Sequence, residues 1–198
     1  MSLWLRVRRT RICALTIVGV AVTLWLTRGW SLKLPNLLGG PTLIIPIALL
    51  LPLALAIVVA AGFTTGDPAV EAVAARPLPL LDVGYALSTA ALMLAVSLLV
   101  QRIVPLEPAL EAGRNAAGYI GLTLIGRRIA GAQTAAILPV AFAVIIALVS
   151  SSEAGETHWW AWHIAIAYDR LSWGIAGAFL LAGMGLTLMP NNAAVADR

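Results

Sequence analysis

The chain has 198 residues, of which 61% are hydrophobic and 11% charged, and its net charge is +4. A soluble domain averages about 25% charge, so too little polar material is present to clothe a water-soluble globule, and the composition points to a polytopic α-helical membrane protein. The continuous apolar runs, unbroken by a two-residue alternation, exclude a β-barrel, and the positive charge is read as orientation and headgroup contact and not as nucleic-acid binding.

The first predicted span is residues 12–27. The basic stretch before it, with Arg6, Arg8, Arg9 and Arg11, resembles the start of a secretory signal, but Arg28-Gly29-Trp30 follows without a small-residue cleavage site. The span is therefore expected to be retained. Cys13 is the single cysteine, so no intrachain disulfide can form.

The second predicted span is 43–63, with no charged residue in 21 positions. At ~1.5 Å per residue such a run covers a bilayer's ~30 Å hydrocarbon core as one helix. Pro46 and Pro52 are expected to kink it. On the cytoplasmic side, Asp67 can cap a short helix starting at Pro68, with Arg76 near its last turn and Pro77 and Pro79 ending it.

Four further spans are expected at 84–104, 109–127, 132–150 and 172–189. The fourth is the weak one. Its firmly apolar part is only 115–126, and a surface helix is the alternative. With six spans and both termini cytoplasmic, Arg6, Arg8, Arg9, Arg11, Arg76, Arg127, Arg128 and Arg198 lie inside, against Arg28, Lys33, Arg102, Arg114 and Arg170 outside. The bias of eight to five follows the positive-inside rule, and a five-span count reverses it. The whole chain, 1–198, is read as one transmembrane domain.

Small residues recur every fourth position, as Ala135, Pro139, Ala143 and Ala147 in the fifth span and Gly174, Ala178 and Ala182 in the last. Gly118 and Gly126 share a face of the fourth. Such faces let helices approach closely in lipid. Before the last span, Trp159, Trp160, Trp162, Ile164, Ile166, Tyr168 and Trp173 form an aromatic segment expected at headgroup depth on the outer side.

The chemistry is sparse. The chain carries no GxxxxGK[ST] phosphate loop, no HExxH and no zinc spacing. The span centres hold no ionisable residue, which disfavours proton pumps and intramembrane hydrolases. Glu153, Glu156, His158, His163 and Asp169 are the one polar cluster on which an interfacial enzyme or a metal site could rest. No cofactor, no metal and no catalytic residue is expected.

This layout resembles the permease subunits of type-2 ABC exporters and small actinobacterial permease-like membrane proteins. The local matches are 67–79, the stretch Gly113-Arg114-Asn115-Ala116-Ala117-Gly118-Tyr119-Ile120-Gly121-Leu122 running into Gly131 and Pro139, and 159–173. The N-terminal stretch before the first span is shorter than those permeases usually have. The resemblance implies that Asp67, Glu71 and Arg76 belong to a coupling helix docking on a separate ATP-binding subunit. It implies a second permease chain, facing the second and fifth spans, and an outer gate at the aromatic segment. Arg127 and Arg128 are expected at the cytoplasmic surface. The expected function is thus a membrane-spanning exporter subunit, itself no enzyme, in a bacterial plasma membrane. The alternatives are a non-transporting immunity or scaffold subunit and, more remotely, an interfacial enzyme.

Overall fold

The computed structural model describes residues 8–27, 30–34, 42–65, 78–104, 106–149 and 158–189. Their regular structure is helical apart from one two-stranded antiparallel pair. In chain order they form α1 (Thr10–Leu26), β1 (Ser31–Leu34), β2 (Leu43–Pro46), α2 (Pro52–Phe63), α3 (Leu78–Ile103), α4 (Glu107–Ala130), α5 (Ile137–Val149) and α6 (Arg170–Leu188). Single 3-10 turns occur at Ile47–Leu49, Ala132–Thr134 and Trp162–Ile164.

Two helices, α3 and α6, are long and apolar enough to cross a membrane. Helix α1 and the segments containing α2 and α5 are apolar but shorter. The expectation that 43–63 forms one helix is corrected. Its first residues pair antiparallel with β1 in the register Ser31↔Pro46 to Leu34↔Leu43, and a 3-10 turn follows. Only the last 12 residues are α-helix, with Pro52 in its first turn. Proline lacks an N–H and clashes with the preceding turn, so it starts helices and does not continue them. The same reasoning fits Pro79 in the first turn of α3; the expected short helix before it lies outside the described residues. The predicted span 132–150 likewise begins as a 3-10 turn, and its helix has 13 residues.

Helix α4 is the axis of the molecule. It packs on α2, α3, α5 and α6, most extensively on α6, and buries nearly every residue from Ala109 to Gly126. The surface-helix alternative is therefore corrected: its low hydropathy reflects a position at the centre, where small and polar side chains meet protein. At the crossing with α6, a Cβ on Gly121 would lie 2.4 Å from the backbone of Phe179 and Leu180, and one on Gly183 would lie 2.6 Å from Gly121 O. Any side chain there would force the helices apart. Helix α4 stops at Gly131, whose φ of 88° suits glycine, and Arg127 and Arg128 in its last turn complement the helix dipole.

The main core joins Ile17 and Leu24 of α1, Leu55 and Val59 of α2, Met93 of α3 and Ile120 and Leu124 of α4. Large apolar side chains also cover the outside, including Leu15 and Val18 on α1, Leu99 on α3, Ile145 on α5 and Leu181 on α6. The small-residue stripes divide. Ala135, Pro139 and Ala143 turn inward, whereas Gly174, Ala178 and Ala182 lie on the exposed face of α6.

Candidate functional site

Two polar assemblies sit at opposite ends of α4. At the first, Asp82 of α3 is buried between two arginines. Arg8 Nη2 lies 2.9 Å from Asp82 Oδ1, and Arg127 Nη1 lies 2.7 Å from Oδ2. Arg8 Nη1 also donates to the carbonyl oxygens of Gly62 and Phe63, at 3.2 and 3.4 Å. Both guanidinium groups lie over the Phe63 ring, Arg127 the closer at 4.4 Å from its centroid. The cluster thus ties the start of α1, the end of α2, the start of α3 and the end of α4 into one knot. Arg9, with φ of 52°, supplies the left-handed turn just before α1. A Cβ on Gly62 would lie 2.9 Å from Arg8 O, so glycine permits the chain's close approach there.

At the other end, Arg114 is fully buried, and among the described residues it has no carboxylate at ion-pair distance. Its hydrogen bonds go to neutral acceptors, and the carboxyls of Glu111 and Asp169 add attraction at longer range. Nη2 donates to Ala165 O at 2.8 Å, Nη1 to Ile166 O at 3.0 Å, and Nε and Nη2 both to Asn115 Oδ1 at 3.2 Å. Asn115 Nδ2 in turn donates to His163 O at 2.7 Å and Leu49 O at 3.3 Å. These bonds sew the loop before α6, and the turn before α2, onto the axis helix.

That loop also drives Trp162 and His163 inward. Trp162 packs among Tyr119, Phe142 and Phe179, with ring centroids 5.6 to 6.0 Å away. Its six-membered ring lies on Gly118, where a Cβ would come within 2.2 Å. The expectation that Trp162 lies at headgroup depth is corrected, because it fills the space that Gly118 leaves in the core. Trp159 and Tyr168 remain exposed. Trp160 stacks on His158 at 5.0 Å, and Trp173 donates from Nε1 to Ala167 O at 2.8 Å. Burial, followed by the Arg114 charge, pushes the His163 imidazole down to about 3. Asp169 caps α6 by accepting from the Leu171 and Ser172 amides and the Ser172 hydroxyl. The Ser172 hydrogen bond holds its carboxyl below the usual range.

The two histidines do not converge: His158 lies on Trp160, and His163 lies in the core. Among the described residues no three His, Cys, Asp or Glu side chains are grouped as metal ligands. Asp67, Glu71 and Arg76 lie outside the described residues. Arg127 is drawn into the Asp82 pair and keeps only 23% of its side chain exposed, which corrects its placement as a plain surface cation. Arg128 is half-buried. Sequence reasoning missed Asp82 and Asn115. Asp82 was detectable as a carboxylate at the end of an apolar helix, on the side already rich in arginine. An apolar crevice of about 120 Å³ lies beside the second assembly's end of the bundle, lined by Leu24, Thr27, Trp30, Pro46, Ala48 and Leu106, among others.

Comparison with protein-family models, with curated proteins and with solved structures finds no match to this chain.

Proposed function

We propose that the chain is a six-span membrane subunit of permease type, one component of an ABC-type exporter whose ATP is hydrolysed on a separate chain. The observation that carries this reading is the paired interruption of the two apolar segments flanking the axis helix. Residues 43–63 and 132–149 both begin irregularly, and both segments pack on α4. In hydrocarbon, broken helices are tolerated where they are covered by protein or line a cavity, and transporters build their sites between such discontinuous segments.

Membrane residence is supported by polarity. Arg8, Asp82, Arg114 and Asn115 are buried, while leucine, isoleucine and valine face outward on α1, α3, α5 and α6. Alternating crossings are supported by which ends meet. Arg8, Phe63, Asp82 and Arg127 gather at one end, and Thr27, Ala48 and Leu106 at the other. The first end also carries Arg9, Arg11 and Arg128, and this basic excess supports a cytoplasmic position under the positive-inside rule. An ATP-binding subunit then docks at Asp67, Glu71 and Arg76, and a second permease chain completes the pathway.

The test is co-purification. Chain extracted from its native membrane in mild detergent should carry an ATP-hydrolysing subunit, and exchanging Asp67, Glu71 and Arg76 for alanine should release that subunit while leaving the chain folded. A chain that never retains an ATPase contradicts the reading and favours a non-transporting interaction subunit.

A further inference from the structure

The polar atoms on three packed rings beside Arg114 are not used by the hydrogen bonds of the second assembly. Tyr119, Trp162 and His163 are closed off from the surface. Their rings touch pairwise, with centroids 5.6 Å apart for Tyr119 and Trp162, 6.3 Å for Tyr119 and His163, and 6.0 Å for Trp162 and His163. The Tyr119 hydroxyl, Trp162 Nε1, and His163 Nδ1 and Nε2 have no hydrogen-bond partner among the described residues. Buried polar atoms are nearly always paired, because one left bare loses its hydration without replacement. Four such atoms on three touching rings point to a shared partner, not to four separate defects.

The donor and acceptor inventory selects that partner. Trp162 offers only a donor, Tyr119 a donor and an acceptor, and a neutral imidazole one of each. The partner must accept from the indole and imidazole N–H groups and donate to the second imidazole nitrogen. An ionised carboxylate or phosphodiester cannot donate. An ammonium ion cannot accept, and it would sit near the Arg114 charge. Phe142 and Phe179 pack against the same rings, the Phe142 ring 6.0 Å from His163 and the Phe179 ring 6.0 Å from Trp162. A small ligand is required, and water both donates and accepts within two to four hydrogen bonds.

We propose that Tyr119, Trp162 and His163 form an internal water site at the outer end of α4, where ordered water bridges the three rings beside Arg114. The site is independent of the transport reading. It would give the bundle a hydrated point inside an apolar shell, held in place by the loop that Arg114 and Asn115 anchor.

The test is water-to-protein magnetisation transfer in solid-state NMR, on full-length protein in lipid bilayers labelled with ¹⁵N at histidine, tryptophan and leucine. His158→Gln and Trp162→Phe assign the signals. Transfer to the His163 ring nitrogens and to Trp162 Nε1 should be as fast as transfer to exposed Trp159. Transfer as slow as at the buried Leu124 amide overturns the site, and so does a wet His163 beside a dry Trp162. Tyr119→Phe keeps the ring and removes the hydroxyl. It should shift the His163 ring resonances and reduce their transfer, and unchanged resonances overturn the sharing of water. If that variant does not fold, the wild-type transfer alone decides.

Discussion

The two ends of α4 solve the burial of an arginine in opposite ways. Near Asp82, charge meets charge: one carboxylate lies between Arg8 and Arg127, and four helix ends are joined. Around Arg114, the hydrogen bonds run to two loop carbonyls and an amide, with the Glu111 and Asp169 carboxyls acting only at longer range, and the neighbouring rings keep polar atoms without partners among the described residues. Removing a partner from a buried ion pair leaves a bare charge, whereas neutral acceptors can be exchanged for water at smaller cost. The Asp82 end is thus built as a clamp. The Arg114 end is built as a polar seat under a loop, with the hydrogen bonds of its buried cation made to neutral groups.

Breaking the clamp should have the largest effect. Asp82→Ala strands Arg8 in the interior and should destabilise the chain by about 3–5 kcal/mol, read as a fall in the detergent unfolding midpoint. Asp82→Ala combined with Arg8→Met should recover much of that loss, and an additive double variant would show that the pair is not coupled.

The Arg114 end should show itself through pH. The His163 imidazole is pushed down to about 3 in the folded chain, against an ordinary value of 6.5. The unfolded chain binds the extra proton first, so this contribution is complete above pH 6.5 and is lost as pH falls toward 3. The slope is at most about 1.4 kcal/mol per pH unit. Unfolding midpoints at pH 7 and pH 5 should differ in the wild type, with a smaller difference in His163→Gln. Asp169, also held low, has an ordinary value of 3.8 and so contributes its change below this window.

A smaller effect is expected from packing at the same end. Gly118→Val drives a side chain into the Trp162 ring and should cost about 1–3 kcal/mol, with a red shift of tryptophan emission as Trp162 moves outward. The smallest effect is at the loop's exit. Asp169→Ala removes the α6 cap and should cost about 1 kcal/mol in thermal unfolding.

Much of the framework was legible because hydropathy reports which residues avoid water. Residues 12–27 and 172–189 fall within two residues of α1 and α6, and 84–104 lies on α3, which starts six residues earlier. The interrupted segments were not, because a run without charge looks the same whether Pro46 and Pro52 bend one helix or replace half of it with a strand and a turn. The central position of α4 was hidden for a related reason. A helix enclosed by its neighbours does not need an apolar exterior, so Gly113, Arg114, Asn115 and Gly118 weakened its signal while making its packing possible. In the Trp-rich segment, composition could not separate Trp159, which stays outside, from Trp162, which enters the core. That choice depends on a glycine 44 positions away in sequence, at 118.

The proposed topology has α4 crossing the membrane as the polar axis of a six-span bundle, with the Asp82 clamp on the cytoplasmic side. Single cysteines placed in a Cys13→Ala chain test it directly. Lys33→Cys and Trp159→Cys should react with a membrane-impermeant maleimide in intact cells, and Gln133→Cys only after the membrane is opened. Labelling of Gln133→Cys in intact cells, with Trp159→Cys protected, would contradict it.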